Sequence, residues 1–98
     1  MDLITIITIL ELATACKLKS KAILSDGHLL SDYVLEVNCY YFIALSDTIH
    51  IAEEMILEFS EKGEGIENIS SLADLYENIQ RCSEIEVRLS EQINLTTH

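Results

Sequence analysis

The chain contains no proline, and its three glycines fall in two clusters, Ser25-Asp26-Gly27-His28 and Lys62-Gly63-Glu64-Gly65. Glycine supplies the left-handed residue that commonly closes a helix. The clusters therefore cut the chain into three uninterrupted segments, 2–24, 31–62 and 67–95. The middle segment has the clearest pattern. Phe42, Leu45, Ile49, Ala52, Ile56 and Phe59 recur at alternating three- and four-residue steps, and Leu35 extends the series back by a heptad. This spacing predicts an a/d seam for antiparallel helix packing. Ile43, Ile51 and Leu57 lie beside it and widen the apolar face towards more than one neighbour.

The third segment repeats the pattern through Leu72, Leu75, Ile79, Cys82, Glu86, Leu89 and Ile93. Glu86 interrupts the stripe, and Ile85 and Val87 stand beside it to take over the contact. Ser71 and Asp74 match the S/T-x-x-D/E capping signature, which predicts a helix starting near 71. The first segment is apolar nearly all round, with Thr5, Thr8 and Glu11 its polar residues between Leu3 and Ala13. Its run of isoleucines and threonines suits a strand as well as a helix. It does not alternate, and no second strand candidate exists, so a buried helix is expected. The expected fold is all-α, one domain over 1–98, an antiparallel bundle of three long helices, or four if helix 2 breaks at the potential cap Ser46-Asp47.

Charge is lopsided. Residues 1–46 carry five acids and three lysines, a net of −2, whereas residues 47–98 carry twelve acids and three bases, a net of −9. Such a half-chain repels nucleic acid and attracts a basic surface. Yet 49% of the residues are hydrophobic, too many for a disordered acidic tail. A chain this short buries only about 60–65% of its unfolded surface, so either nearly all the apolar residues pack inside or some face a partner or a second copy. Cys16, Cys39 and Cys82 are odd in number and irregularly spaced, which predicts free thiols. Asp2 precedes the apolar N-terminal run and the lysines follow it, the reverse of a signal peptide. The run is also too short for a span of about 20 residues. A cytoplasmic location without membrane association is expected.

With Phe42 as an a position, the outward f positions are Tyr33, Tyr40, Asp47, Glu54 and Glu61, flanked by Glu36, His50 and Glu58. Tyrosine offers large area with a polar handle and is enriched at interfaces, and carboxylates beside it would steer a basic partner. The competing reading is a solvated face with its tyrosines lying against helix 1. Glu77–Arg81, Glu84–Arg88 and Glu58–Lys62 form favourable i,i+4 pairs in sequence. Asp47, Glu53, Glu61, Glu64 and Glu67 have no base four residues away. The candidate partner-binding residues are thus Tyr33, Glu36, Tyr40, Asp47, His50, Glu54, Glu58, Glu61, Glu64 and Glu67.

Catalysis and metal binding have little support. His50 lies near Glu53 and Glu54, but the paired Glu-x-x-His motifs of a di-metal bundle are missing. No Cys–His motif, glycine-rich phosphate loop or basic stripe occurs. No catalytic residue, metal, cofactor or directly bound nucleic acid is expected.

Small, acidic, helical and without a catalytic motif, the chain resembles the immunity proteins that bacteria pair with secreted toxins. It is also similar to antitoxins and to phage-encoded inhibitors that mimic nucleic acid. The resemblance lies in size, charge and lack of catalytic residues, and it implies a mechanism: an acidic helix face plugs or flanks the basic cleft of a nuclease-type toxin. The rival expectation is a self-associating adaptor or secretion chaperone that buries its surplus apolar surface in a homodimer.

Overall fold

The computed structural model describes residues 2–25, 30–62 and 69–96, with the side chains of 62, 69, 70 and 94–96 outside the description. Three helices form, α1 (Leu3–Ser25), α2 (Asp32–Lys62) and α3 (Ile69–Thr96). Each lies within about two residues of the segment that the glycine clusters delimit. Asp2 caps α1: its Oδ1 accepts from the Thr5 backbone N–H at 2.8 Å and from the Thr5 hydroxyl at 2.6 Å. Those bonds hold the Asp2 carboxyl below its ordinary pKa, the side-chain bond contributing most. Ser31 caps α2 by accepting from the Val34 N–H at 3.3 Å. The α3 helix begins ahead of the Ser71-x-x-Asp74 signature.

The α2 helix does not break at Ser46. The Ser46 hydroxyl donates to the Phe42 carbonyl at 2.8 Å, inside the helix, rather than capping a new one. Thirty-one continuous residues make α2 the central element, with α1 packed along one side and α3 along the other. The molecule is correspondingly long, 51 × 20 × 17 Å.

Two apolar clusters hold the layer together. One joins Ile6 of α1 to Ala52 and Met55 of α2 and Leu75 of α3. The other joins Ala13 to Val34, Tyr41, Ala44 and Leu45, and to Cys82 and Leu89. Ile6 thus sits by Met55, while Ser20 bonds Asn38 further along, so α1 and α2 run antiparallel. Each fully buried aliphatic side chain contributes about 1.5–3 kcal/mol.

The α2 seam is displaced from the expected one. Its most buried residues are Val34, Asn38, Tyr41, Leu45, Thr48, Ala52 and Met55, with Ala44 alongside. Leu45 and Ala52 belong to both series, whereas Leu35, Phe42, Ile49, Ile56 and Phe59 are only half-buried. The displacement has a chemical reason: the seam admits Asn38 and Thr48, which a search for apolar residues passes over. Ser20 Oγ donates to Asn38 Oδ1 at 3.0 Å, and Asn38 Nδ2 donates to the Ser20 carbonyl at 2.9 Å. Thr48 Oγ1 donates to the Ala44 carbonyl at 2.9 Å, which leaves its oxygen to accept from Cys82 Sγ at 3.6 Å. No buried polar side-chain atom lacks a partner among the described residues.

The expectation that α1 is buried nearly all round is not met. Its buried residues are Ile6, Ala13 and Ser20, while Ile4, Ile7, Leu12 and Leu18 face solvent. A helix that touches one neighbour closely buries one stripe, here at seven-residue spacing. In α3 the stripe is Leu75, Cys82 and Leu89, and Ile85 is half-buried beside exposed Glu86, as the pattern predicts. Val87 does not share that contact; it is exposed. The three cysteines are free. No helix among the described residues is long and apolar enough to cross a membrane.

Candidate protein-binding face

The f-position stripe lies on a single uninterrupted helix. At 1.5 Å per residue, Tyr33, Tyr40, Asp47, Glu54 and Glu61 are about 10 Å apart in succession and span about 42 Å. All five are exposed, as are Glu36, His50 and Glu53. Glu58 is half-buried and already has an interaction partner. Glu64 and Glu67 lie outside the described residues. His50 Nε2 lies 3.1 Å from Glu54 Oε1 across one helical turn, a salt bridge whenever His50 is protonated.

The antiparallel register of α3 divides this face into two electrostatically different halves. Around Asp47 and His50, α3 supplies Asp74, Glu77 and Asn78, and these residues with Ile51 line a cleft of about 240 Å³. Three carboxylates converge there, and no lysine or arginine is among the lining residues. Sequence reasoning assigned Asp74 to a helix cap and Glu77 to an ion pair with Arg81, so both were missed. The signal that finds them is helix pairing: with α2 and α3 antiparallel, Asp74–Asn78 fall opposite Asp47–Ile51.

The tyrosine half differs. Tyr40 and Val37 border a groove of about 270 Å³ with Arg81, Glu84, Ile85 and Arg88. Tyr40 therefore neighbours α3 rather than α1. Among the described residues, Glu77–Arg81 and Glu84–Arg88 do not close as ion pairs and no other carboxylate pairs with the two guanidinium groups that border the Tyr40 groove. The acidic half of the face is thus concentrated from Asp47 to Glu61, and the tyrosines mark its edge.

On the opposite side of α2, a groove runs between α1 and α3. Its floor is Tyr41, Leu45 and Thr48, and its walls are Ile9, Leu12, Ala13 and Cys16 against Ile79, Cys82 and Glu86. That section holds about 200 Å³, and a second of about 210 Å³ continues past Cys16 and Tyr41 towards Ile23 and Ile93. Burial pushes the Tyr41 hydroxyl well above its ordinary pKa, with the adjoining Cys16 adding to the shift. Burial likewise raises Cys82, which keeps its thiol protonated. Among the described residues, no three His, Cys, Asp or Glu side chains form a group that could hold a metal ion.

No family model matches the chain, and no curated protein or solved structure matches it.

Proposed function

We propose that this protein binds a basic protein partner through the acidic half of the α2 face, as an immunity-type inhibitor of a nuclease-like toxin or another nucleic-acid-handling protein in the cytoplasm. The observation that supports this most is the convergence of Asp47, Asp74 and Glu77 from two helices on one cleft, continued along α2 by exposed Glu53, Glu54 and Glu61. Clustered like charges at a surface raise the local potential, which steers an oppositely charged partner and can speed its association by about 10- to 1000-fold. The partner's lysines and arginines would replace the solvent around these carboxylates. Tyr40, half-exposed at the edge of the patch, would supply the desolvated anchor that carries affinity, because rim charges mainly set the rate.

The test is a pull-down from the native host, followed by binding kinetics with the recovered partner at two salt concentrations. Reversing Asp47, Glu54 and Glu61 together to Lys is expected to slow association and flatten its salt dependence, with little change in dissociation. Tyr40→Ala is expected to speed dissociation. Unchanged kinetics in the triple variant would remove this face as the interface. A second reading, a self-associating adaptor or secretion chaperone, draws support from the apolar surface of α1. It predicts a salt-insensitive homodimer and no basic partner in the pull-down.

A further inference from the structure

We infer that the groove between α1 and α3 seats one amphipathic helix of a partner protein, whose apolar row fills the groove and whose lysine or arginine meets Glu86. The α1 and α3 helices each pack on α2 and scarcely on one another. Both run antiparallel to α2, so they run parallel to each other. Their walls are in register: residues 9–16 face 79–86, and residues 16–23 face 86–93. Each wall carries a row at alternating three- and four-residue steps. On α1 the row is Ile9, Leu12, Cys16, Lys19 and Ile23, and on α3 it is Ile79, Ser83, Glu86, Ser90 and Ile93. Tyr41, Leu45 and Thr48 of the floor follow the same spacing. Two parallel rows of this repeat above a third make three sides of a four-helix bundle, and they interdigitate with the side chains of a helix. At 1.5 Å per residue the walls run about 21 Å, the length of a four-turn helix.

Charge selects the occupant. Glu86 stands in the α3 row between Ile79 and Ile93, level with Cys16, and forms no ion pair among the described residues. An aliphatic side chain laid over it would bury the carboxylate unpaired, a cost that a cation at the same position removes. Lys19, one turn along the opposite wall, is exposed and also unpaired. An acid on the incoming helix, one turn from its cation, answers Lys19 and fixes the direction of the helix. A second copy brings no such helix. Its α2 carries seven acids against Lys62, a net of −6, and its α3 five acids against two arginines, a net of −3. Its α1 turns Glu11 outward among Ile4, Ile7 and Leu18. A hydrocarbon chain fills the apolar section and leaves Glu86 unanswered. The groove lies on the side of α2 opposite the acidic face, so this inference stands or falls apart from the function proposed above.

A displayed library of four-turn helical peptides, selected against the full chain, tests this. The enriched peptides are expected to carry apolar residues at three- and four-residue steps, with Lys or Arg at one position of that row. Fluorescence anisotropy with the best peptide then measures affinity. Glu86→Lys should weaken binding by about 10-fold or more, and a peptide with its row Lys or Arg changed to Glu should recover the loss on that variant. Leu12→Glu should also weaken binding by about 10-fold. Both positions are exposed, so the melting temperatures should be unchanged. Asp47→Lys/Glu54→Lys/Glu61→Lys should retain the affinity. No enrichment, enrichment without the helical spacing, or no recovery in the charge exchange would overturn the inference. So would binding lost only in the triple variant, or a free chain that is a dimer dissociated by Leu12→Glu. Dodecanoate that occupies the groove and resists displacement by the peptide would overturn it as well.

Discussion

The α1 and α3 helices flank the same central helix, and each buries one residue in seven against it. For α3 these are Leu75, Cys82 and Leu89, and most of its remaining surface is charged or polar. For α1 they are Ile6, Ala13 and Ser20, and four large aliphatic side chains are left in solvent. The same packing geometry thus meets two different compositions. Where the composition matches the geometry, as in α3, the helix is amphipathic and its outer face serves solubility. Where the apolar content exceeds what one neighbour can cover, as in α1, the excess becomes surface.

The largest expected effect tests whether both flanks are equally integral. Leu75→Asp and Ile6→Asp each place an unpaired charge at a fully buried position and should each cost about 4 kcal/mol or more, in practice unfolding the chain. Urea unfolding followed by circular dichroism measures this. If Ile6→Asp alone leaves a folded protein, α1 is docked less firmly than α3. A smaller effect concerns how α1 is held. Asn38→Ala removes two side-chain hydrogen bonds with Ser20 and should cost about 1–3 kcal/mol, the Ser20 hydroxyl keeping only its 3.4 Å bond to the backbone carbonyl of residue 38. A loss as small as that of an exposed substitution would show that water replaces the pair.

The smallest effect is a pH dependence where the two flanks meet over α2. The folded-state pKa of Tyr41 is raised, chiefly by burial and next by Cys16, above its ordinary value of 10.0. A group raised on folding stabilises the protein fully below its unfolded value, and that contribution is lost as pH rises towards the folded one. Stability should therefore decline above pH 10, and Tyr41→Phe should flatten the decline in melts across that range. An equal decline in the variant would assign it to other groups.

Three helices with their approximate ends were legible in the sequence because the glycine clusters bound them and a three- and four-residue apolar spacing runs through the second and third segments. The exact seam of α2 was not. Its buried Asn38 is compatible with a core through its partner on α1, and Thr48 through the Ala44 carbonyl of its own helix and Cys82 of α3, and an apolar spacing does not display such partners. The outward position of Tyr33, Tyr40, Asp47, Glu54 and Glu61 was legible for the converse reason: helical periodicity alone sets it. Asp74 and Glu77 could not be added without knowing which turn of α3 lies beside Asp47. The exposed face of α1 escaped because a uniformly apolar segment has no preferred direction, and only the number of available neighbours decides which side is covered.

The paired Ser20 and Asn38 have a consequence for how the chain finds this arrangement. The buried stripes of all three helices repeat every seven residues, so a helix slipped by two turns would still set apolar rows against one another. The aliphatic contacts alone make such slipped states close competitors. Among the described residues a polar pair occurs at this one place in the α1–α2 contact, and a seven-residue slip that sets Asn38 against Ala13 leaves its amide unanswered. Its contribution is therefore discrimination: it separates one native alignment from a ladder of near-degenerate ones and keeps a repetitive sequence from folding into a mixture.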